Sequence, residues 1–431
     1  MKVEQDGEIG FMSTSEFDKH KVDHLFLLMG ENPLPNYVAA TLLLNQGGTL
    51  YLVHTTHTEK PAKRLAKILG DEGVKTIEPL SLEHYESDAY HIKETIRPKL
   101  EAIKNGKIGL NYTGGTKAMA VHAYRTVFSK QHPDTVFSYL DPRRLEMCID
   151  REDRERIRLQ VKPELLEVKL NKLFQIHSLE LTANPTQEAR LPDLAAILAE
   201  IFKDENKAKK WFDWYYKVFC EESRRKINGS WGNWKSQLDL AGLSISIEKA
   251  PIEVVTYLKQ KNLVTLDDRL SLQAVQQQGL FPKIKDFCKY LDGLWLEHYV
   301  LQQVKNIADR HSIKDYGVNF KVPLTGTRDG FEFDVAFTRG YQLFAISVST
   351  TSKRDLCKVK LFEAYLRARQ MGGDEARVAL ICCTNEPDGL KAELAVLDDK
   401  KIAVFGRDDL MDLSSKIEAW IKQNDKDASA K

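Results

Sequence analysis

Two rhythms of apolar and polar positions alternate along the first third of the chain. Residues 24–29 and 49–54 are short apolar runs of strand length, while residues 37–45 and 62–69 space their apolar positions three and four apart, the period of a helix with one buried face. Residues 74–77 and 107–112 predict two further strands, and residues 91–104 and the segment from Lys117 through Phe128 two further helices. Strands and helices alternating in units of this size predict a doubly wound, largely parallel α/β sheet, closed by strands at 136–140 and 146–149. A charged stretch from about 151 to 180 holds one more strand at 157–161 and reads as the edge of this unit or a connector.

From Leu191 the pattern turns helical and dense in large aromatics: Trp211, Phe212, Trp214, Tyr215, Tyr216 and Phe219. A helix at 252–258 followed by short apolar runs at 263–265 and 270–272 predicts a helix with a small β-wing, so a winged-helix-like module over 190–275 and a plain helical spacer are both open. A third pattern starts near Lys285. It runs as an amphipathic helix at 290–307, paired strands at 330–337 and 342–350, a helix at 355–370, a Gly372-Gly373 stop and a strand at 376–382. Helix, two strands, helix, strand is the skeleton of a small α/β nuclease core. The tail after Gln423 is expected to fray.

Composition narrows the function classes. The 431 residues, at ~150 per domain, suggest about three units. With 63 Lys plus Arg against 62 Asp plus Glu the net charge is +1, which excludes a chain-wide basic coat for nucleic acid but leaves room for a local basic cleft. No run approaches the ~18 apolar residues of a membrane span, and residues 1–11 lack a signal-peptide core. The six cysteines are scattered without a zinc-like spacing, so a reduced, cytoplasmic protein with cysteines as core residues is expected.

Candidate chemistry gathers at two places. In the turn Asn111-Tyr112-Thr113-Gly114-Gly115-Thr116-Lys117, two glycines allow close backbone approach to a ligand and a helix N-terminus offers free N–H donors. It is not a Walker A loop, because Thr116 and Ala118 stand where glycine and the metal-binding hydroxyl are required. The turns Gly30-Glu31-Asn32-Pro33 and His54-Thr55-Thr56-His57 end two other parallel strands, on the edge where open α/β sheets bind ligands. Hydroxyls, one amide and Lys117, with no acid–base pair, suit holding a nucleotide more than breaking one. His54 and His57 could pair on a metal, although hydrogen bonding or packing is the commoner use of such residues. In the third pattern, Glu332 and Asp334 are two apart and so share one face of a strand.

The segment from Gly30 to Asn36 and the Asn111–Lys117 turn resemble the ligand loops of CARF domains, the Rossmann-like sensors of cyclic oligoadenylate in type III CRISPR defence. Gly293-Leu294-Trp295-Leu296-Glu297, residues 331–334 and the helix at 355–373 resemble the restriction-endonuclease-like PD-(D/E)xK half of CARF–nuclease effectors. The resemblance covers 22–140 and 285–385, in that order. It implies a sensor over 1–165, a helical or winged-helix-like connector over 166–284 and a nuclease domain over 285–431. It further implies a homodimer that binds one ring, with tetra-adenylate the expected size, and a Mg²⁺- or Mn²⁺-dependent nuclease cutting DNA, RNA or both. The ring would rest on Gly30, Glu31, Asn32, Pro33, Thr55, Thr56, Thr113, Gly114, Gly115, Thr116 and Lys117, while Glu297 and Asp334 would hold the metal.

One departure stands out. Where the resemblance calls for Glu-x-Lys this chain has Ser347-Val348-Ser349, so either the lysine has moved or the nuclease is impaired. Lys358, spaced to share a helix face with Leu361, Phe362 and Tyr365, is the expected migrant and joins Glu297, Glu332 and Asp334 as the catalytic set. Lys353 is the other candidate, and Glu363 a displaced carboxylate. The alternative is a sensor with a degenerate nuclease fold that acts by binding nucleic acid or a partner. The middle segment, with Lys209, Lys210, Trp211, Trp214, Tyr215, Tyr216, Lys217, Arg224, Arg225 and Lys226, could stack bases and meet phosphates, or simply be helix core.

Overall fold

A computed structural model of the chain describes residues 15–128, 132–150, 155–181, 185–227, 229–322, 331–398 and 401–429; the side chains of 321–322, 331–332 and 394–398 are not among those described. The chain divides into two compact units, Met1–Leu166 with Ile176–Ser178, and Glu167–Gln175 with Leu179–Lys431.

The first unit runs β1 (Val22–Leu28), α1 (Leu34–Leu43), β2 (Leu44–His54), α2 (Glu59–Asp71), β3 (Thr76–Ser81), α3 (Ala89–Ala102), β4 (Ile108–Asn111), α4 (Lys117–Val127), β5 (Val136–Asp141), β6 (Glu146–Asp150) and β7 (Ile157–Gln160). Its sheet has the order β3-β2-β1-β4-β5-β6-β7. The first five strands in that order are parallel, and β6 and β7 join antiparallel. Leu25 to Leu28 are buried without alternation, as a central strand covered on both faces requires. β3 starts at Thr76 rather than Val74, because the Val74 N–H still bonds back to the Leu69 carbonyl at the end of α2.

In the second unit come α5 (Leu170–Ile176, whose last residue belongs to the first unit), α6 (Pro192–Lys203), α7 (Glu205–Trp214), α8 (Cys220–Ser223), the hairpin β8 (Arg224–Ile227) and β9 (Ser230–Trp234), α9 (Gln237–Ala241), β10 (Ser244–Ser246), α10 (Ile252–Gln260), β11 (Arg269–Ser271), α11 (Leu272–Gln277), α12 (Ile284–Lys289) and α13 (Trp295–Ile307). The antiparallel pair β10–β11 brackets α10 in sequence, and only an isolated bridge between Val264 and Leu270 pairs the two short runs after α10. Then come β12 (Ile313–Val322), β13 (Phe331–Arg339), β14 (Gln342–Ser349), α14 (Arg354–Gly372), β15 (Arg377–Cys382), α15 (Pro387–Asp398), β16 (Ile402–Phe405) and α16 (Leu413–Ser429). The five strands lie in sequence order, antiparallel from β12 to β14 and parallel from β14 to β16. One hydrophobic cluster joins Leu194 on α6 to Ile421 on α16.

The α/β fold class expected from the sequence is the one observed: a Rossmann-like parallel-rich sheet, a helical middle and a second mixed sheet. Trp211, Trp214, Tyr215 and Phe219 are at most 1% exposed. They are core of the second unit and present no stacking face. Through Ser429 the tail is helix rather than frayed: α16 is anchored by buried Asn424, whose amide donates to the Trp420 carbonyl at 2.7 Å and whose side-chain oxygen accepts from Arg377. All six cysteines are buried and free. No helix among the described residues is long and apolar enough to cross a membrane.

Candidate functional site

In the first unit the strand order turns between β1 and β4, and outside the carboxyl ends of the strands at such a switch point open α/β sheets form their ligand crevice. The β1–α1 and β4–α4 turns both fall there and pack together. A Cβ built on Gly114 would lie 2.3 Å from the Leu28 carbonyl oxygen and 2.8 Å from the Gly30 nitrogen, so only glycine fits. Gly115 follows with φ +77°, a conformation that L side chains rarely adopt. Beneath them the fully buried Asn36 donates its amide to the Leu28 carbonyl at 2.9 Å, while its Oδ1 has no partner among the described residues. No sequence motif singles out Asn36; its neighbour Pro35 marks a helix start but says nothing about where the amide turns.

The expected ring-binding residues divide by what they already do. Thr113 accepts from the Leu140 N–H at 2.7 Å through Oγ1, tying the turn to β5. Thr116 caps α4, accepting from Met119 N at 3.1 Å and donating to the Glu86 carbonyl at 3.1 Å. Asn32 Oδ1 accepts from Leu34 N at 3.0 Å and faces His177 Nε2 at 3.0 Å. Thr55 is buried, with its N–H on Thr58 Oγ1 at 2.9 Å, so it shapes the β2–α2 turn. Glu31, Thr56, Gly115, Thr116 and Lys117 are exposed, and Gly30 is half-buried against Gly114; Pro33 is buried at the start of α1. The Lys117 ammonium has no ion partner among the described residues. His54 is buried with Nδ1 3.1 Å from the Thr55 carbonyl, and His57 is exposed.

In the second unit the β13–β14 ladder runs from Arg339–Gln342 to Val335–Ile346 and stops. Asp334 takes over at that point. Its Oδ2 accepts from Val348 N at 2.6 Å and from Ser347 Oγ at 3.1 Å. Lys360 completes the group, with Nζ 3.8 Å from Asp334 Oδ2 and donating to the Val348 carbonyl at 2.8 Å. All three Asp334 contacts use Oδ2; among the described residues Oδ1 has no partner. A cavity of about 580 Å³ adjoins this group, lined by Glu297, Ser349, Lys360, Arg190, Lys289 and His298 among others. Burial, and secondarily the nearby Arg190 charge, lowers the His298 pKa to about 4, so the ring is neutral at physiological pH. It accepts from the Arg190 N–H at 3.3 Å.

The lysine beside Asp334 is therefore Lys360, not the expected Lys358. Lys358 pairs with Glu393, which also takes Arg354. The reason is helix register. The stripe buried on α14 is Cys357, Leu361, Ala364 and Ala368, whereas Phe362 is 44% exposed. At about 100° per residue, Lys360 and Lys358 sit on opposite flanks of that stripe, each roughly 80° from its centre. Treating Phe362 as inward-facing selects the wrong flank. Lys353 is exposed just before α14, and Glu363 faces outward along a groove with Val359, Phe362 and Leu366. The backbone of Glu332 pairs with Lys321 across β12–β13; its side chain lies outside the described residues.

The donor chemistry fits a hard divalent ion only in an open form. Asp334 and Glu297 offer carboxylate oxygens of the type that suits Mg²⁺ or Mn²⁺. Among the described residues no three His, Cys, Asp or Glu side chains gather tightly enough to cage a metal.

No family model matches the chain, and no curated protein matches it in sequence. Solved structures do match its fold. Protein VC1899 from Vibrio cholerae superposes with a TM-score of 0.67 at 17% identity, over 93% of this chain and 98% of that one. Can2 from Sulfobacillus thermosulfidooxidans, solved in complex with cyclic tetra-adenylate, superposes with a TM-score of 0.64 at 15% identity, over 94% and 98%. A type III CRISPR defence DNA nuclease activated by cyclic oligoadenylate gives 0.50 at 15% identity, over 83% of this chain but 45% of that larger protein. Both units of this chain thus share the architecture of Can2 and VC1899 over nearly their full lengths.

Proposed function

We propose that the chain is a nuclease switched on by a cyclic oligoadenylate, with the crevice of the first unit as the sensor and the Asp334 cavity of the second as the cutting site. The observation that carries this reading is the Asp334–Lys360 pair. The chain lacks Glu-x-Lys on β14, yet a lysine from α14 reaches the carboxylate that a PD-(D/E)xK site needs. The fold shared with Can2, whose structure holds cyclic tetra-adenylate, supports tetra-adenylate as the ring and a homodimer as the working form. The segments 1–165, 166–284 and 285–431 then act as sensor, connector and nuclease, and ring binding across a two-fold axis favours the cutting-competent arrangement.

In the cutting site, Lys360 supplies a fixed positive charge for the scissile phosphate of DNA or RNA. Ser347 and the Val348 amide hold the Asp334 carboxylate in place. Glu297 presents a second carboxylate from α13, and neutral His298 fixes the backbone at Arg190. Asp334 and Glu297 would hold Mg²⁺ or Mn²⁺, which when bound would polarise the phosphate and the attacking water. In the sensor, the Gly114 turn brings backbone donors of α4 and the Lys117 charge to the ring's phosphates. Plasmid nicking with Mn²⁺ and cyclic tetra-adenylate tests this: Asp334→Ala should abolish cutting, and undiminished cutting would refute the site.

The second reading, a sensor with a silent nuclease fold, draws on Ser347-Val348-Ser349. It predicts full biological effect from Asp334→Ala.

A further inference from the structure

The loop between β3 and α3 lies against the Gly114-Gly115-Thr116 turn and plays no part in the ring-binding set read from the sequence. Thr116 Oγ1 donates to the Glu86 carbonyl at 3.1 Å, so the loop and the turn are joined by a direct bond. The loop is held in shape by two successive tight bonds, Tyr85 N–H to the Leu82 carbonyl at 2.8 Å and Asp88 N–H to the Tyr85 carbonyl at 3.1 Å. Asp88 then caps α3 by accepting from His91 N at 3.0 Å.

This short frame displays groups that a surface loop has little reason to expose. The Tyr85 ring stacks on His91 with centroids 3.7 Å apart and planes 4° from parallel. His91 supports one face of Tyr85, and the tyrosine is still 43% exposed. Tyr90, 67% exposed, meets His91 edge-on at 5.5 Å. Beside them Glu86 Oε2 is buried from solvent and finds no hydrogen-bond partner among the described residues. A carboxylate oxygen cut off from water without a donor costs free energy, and a ligand donor would recover it.

A supported aromatic face next to an orphan acceptor is the chemistry that recognises an amino-bearing base. The ring of Tyr85 can stack the base, and a carboxylate accepts an exocyclic N–H but repels a carbonyl oxygen. We propose that this loop is the base-reading wall of the sensor crevice: Tyr85 stacks an adenine of the cyclic oligonucleotide and Glu86, after turning its side chain, accepts the adenine 6-amino group. This rests on the reading that the crevice binds such a ring and specifies which part of the ring is read. With the carboxylate on the N7 edge of the base, adenine would be chosen over hypoxanthine, which offers only its position-6 oxygen and N7 there and carries its N1–H on the other edge.

The test is calorimetric titration of the full chain with cyclic tetra-adenylate and with the ring in which inosine replaces adenosine. Wild-type protein should prefer the adenosine ring by about 10- to 100-fold, the range of one hydrogen bond to a charged group. Glu86→Gln should erase that preference, because an amide can either accept from an amine or donate to a carbonyl. Tyr85→Ala should weaken both rings by about tenfold or more, and Tyr85→Phe, which keeps the stacking face, should restore them. Retained preference in Glu86→Gln together with unchanged binding in Tyr85→Ala would overturn the base-reading loop while leaving the sensor intact. Failure of wild-type protein to bind either ring would overturn the sensor reading and this loop with it.

Discussion

Replacing Lys360 by alanine separates a catalytic role from a structural one. The ammonium stands 3.8 Å from Asp334 Oδ2, which at an effective dielectric near 20 is about 4 kcal/mol of attraction. Lys360 is 44% exposed, however, and solvent screening reduces the stability contribution of such a pair to about 1 kcal/mol or less. The hydrogen bond to the Val348 carbonyl adds roughly another 1 kcal/mol. Lys360→Ala should thus lower Tm by only a few degrees, at ~2–4 °C per kcal/mol for a unit of this size. Activity should respond far more. A fixed cation facing charge that develops on the phosphate is worth roughly 3–4 kcal/mol, so ring-stimulated cutting should fall by about 10²- to 10³-fold. Ser349 lines the same cavity from β14, so adding Ser349→Lys to Lys360→Ala should recover part of that loss. The assay is initial-rate cutting of a labelled oligonucleotide at saturating ring, with calorimetry for Tm. Unchanged cutting in Lys360→Ala, or a loss fully explained by a fall in Tm, would refute the role given to this lysine.

Lys358→Ala should leave cutting within about twofold and stability within about 1 kcal/mol, since Lys358 pairs with Glu393 in a partly exposed setting; rate and Tm measurements check this. Gly114→Ala should weaken ring binding at least tenfold and cost roughly 1–3 kcal/mol, because its Cβ meets the Leu28 carbonyl at 2.3 Å, whereas Gly30→Ala, with its nearest contact at 3.5 Å, should bind nearly as wild type; titration with the ring and denaturant unfolding distinguish the two. Glu375 is 2% exposed, and burial raises its pKa from 4.5 to about 7. The folded chain therefore keeps this proton where the unfolded chain releases it, so the contribution is full below pH ~4.5 and is lost as pH rises to about 7. Glu375→Gln should gain stability over wild type as pH rises from 5 to 8, by up to about 3 kcal/mol, in urea unfolding at the two pH values.

The parallel sheet was legible because its strands are buried on both faces and read as unbroken apolar runs, and because glycine and proline punctuate the turns between them. The glycine turn was legible for a related reason: Gly114 and Gly115 are chemically conspicuous. What stayed hidden depends on register and long-range contact. β12 and β16 did not show as strands in the apolar pattern. Lys360 and Lys358 lie on opposite flanks of one buried stripe, and only the exposure of Phe362 decides between them. Asn36 and Glu86 owe their significance to the Leu28 carbonyl and the Thr116 hydroxyl, 8 and 30 residues away, with no local motif to announce them. The middle aromatics offered two readings by composition; burial settles Trp211, Trp214, Tyr215 and Phe219 as core, while Tyr216 stays 45% exposed.

The most direct measurement of the central claim is nuclease activity of the full chain with Mn²⁺, on plasmid, single-stranded DNA and RNA, with and without cyclic tetra-adenylate. Cutting that requires the ring and disappears in Asp334→Ala is the expected result. No ring-dependent cutting of any of these substrates, or equal cutting by Asp334→Ala, would contradict it.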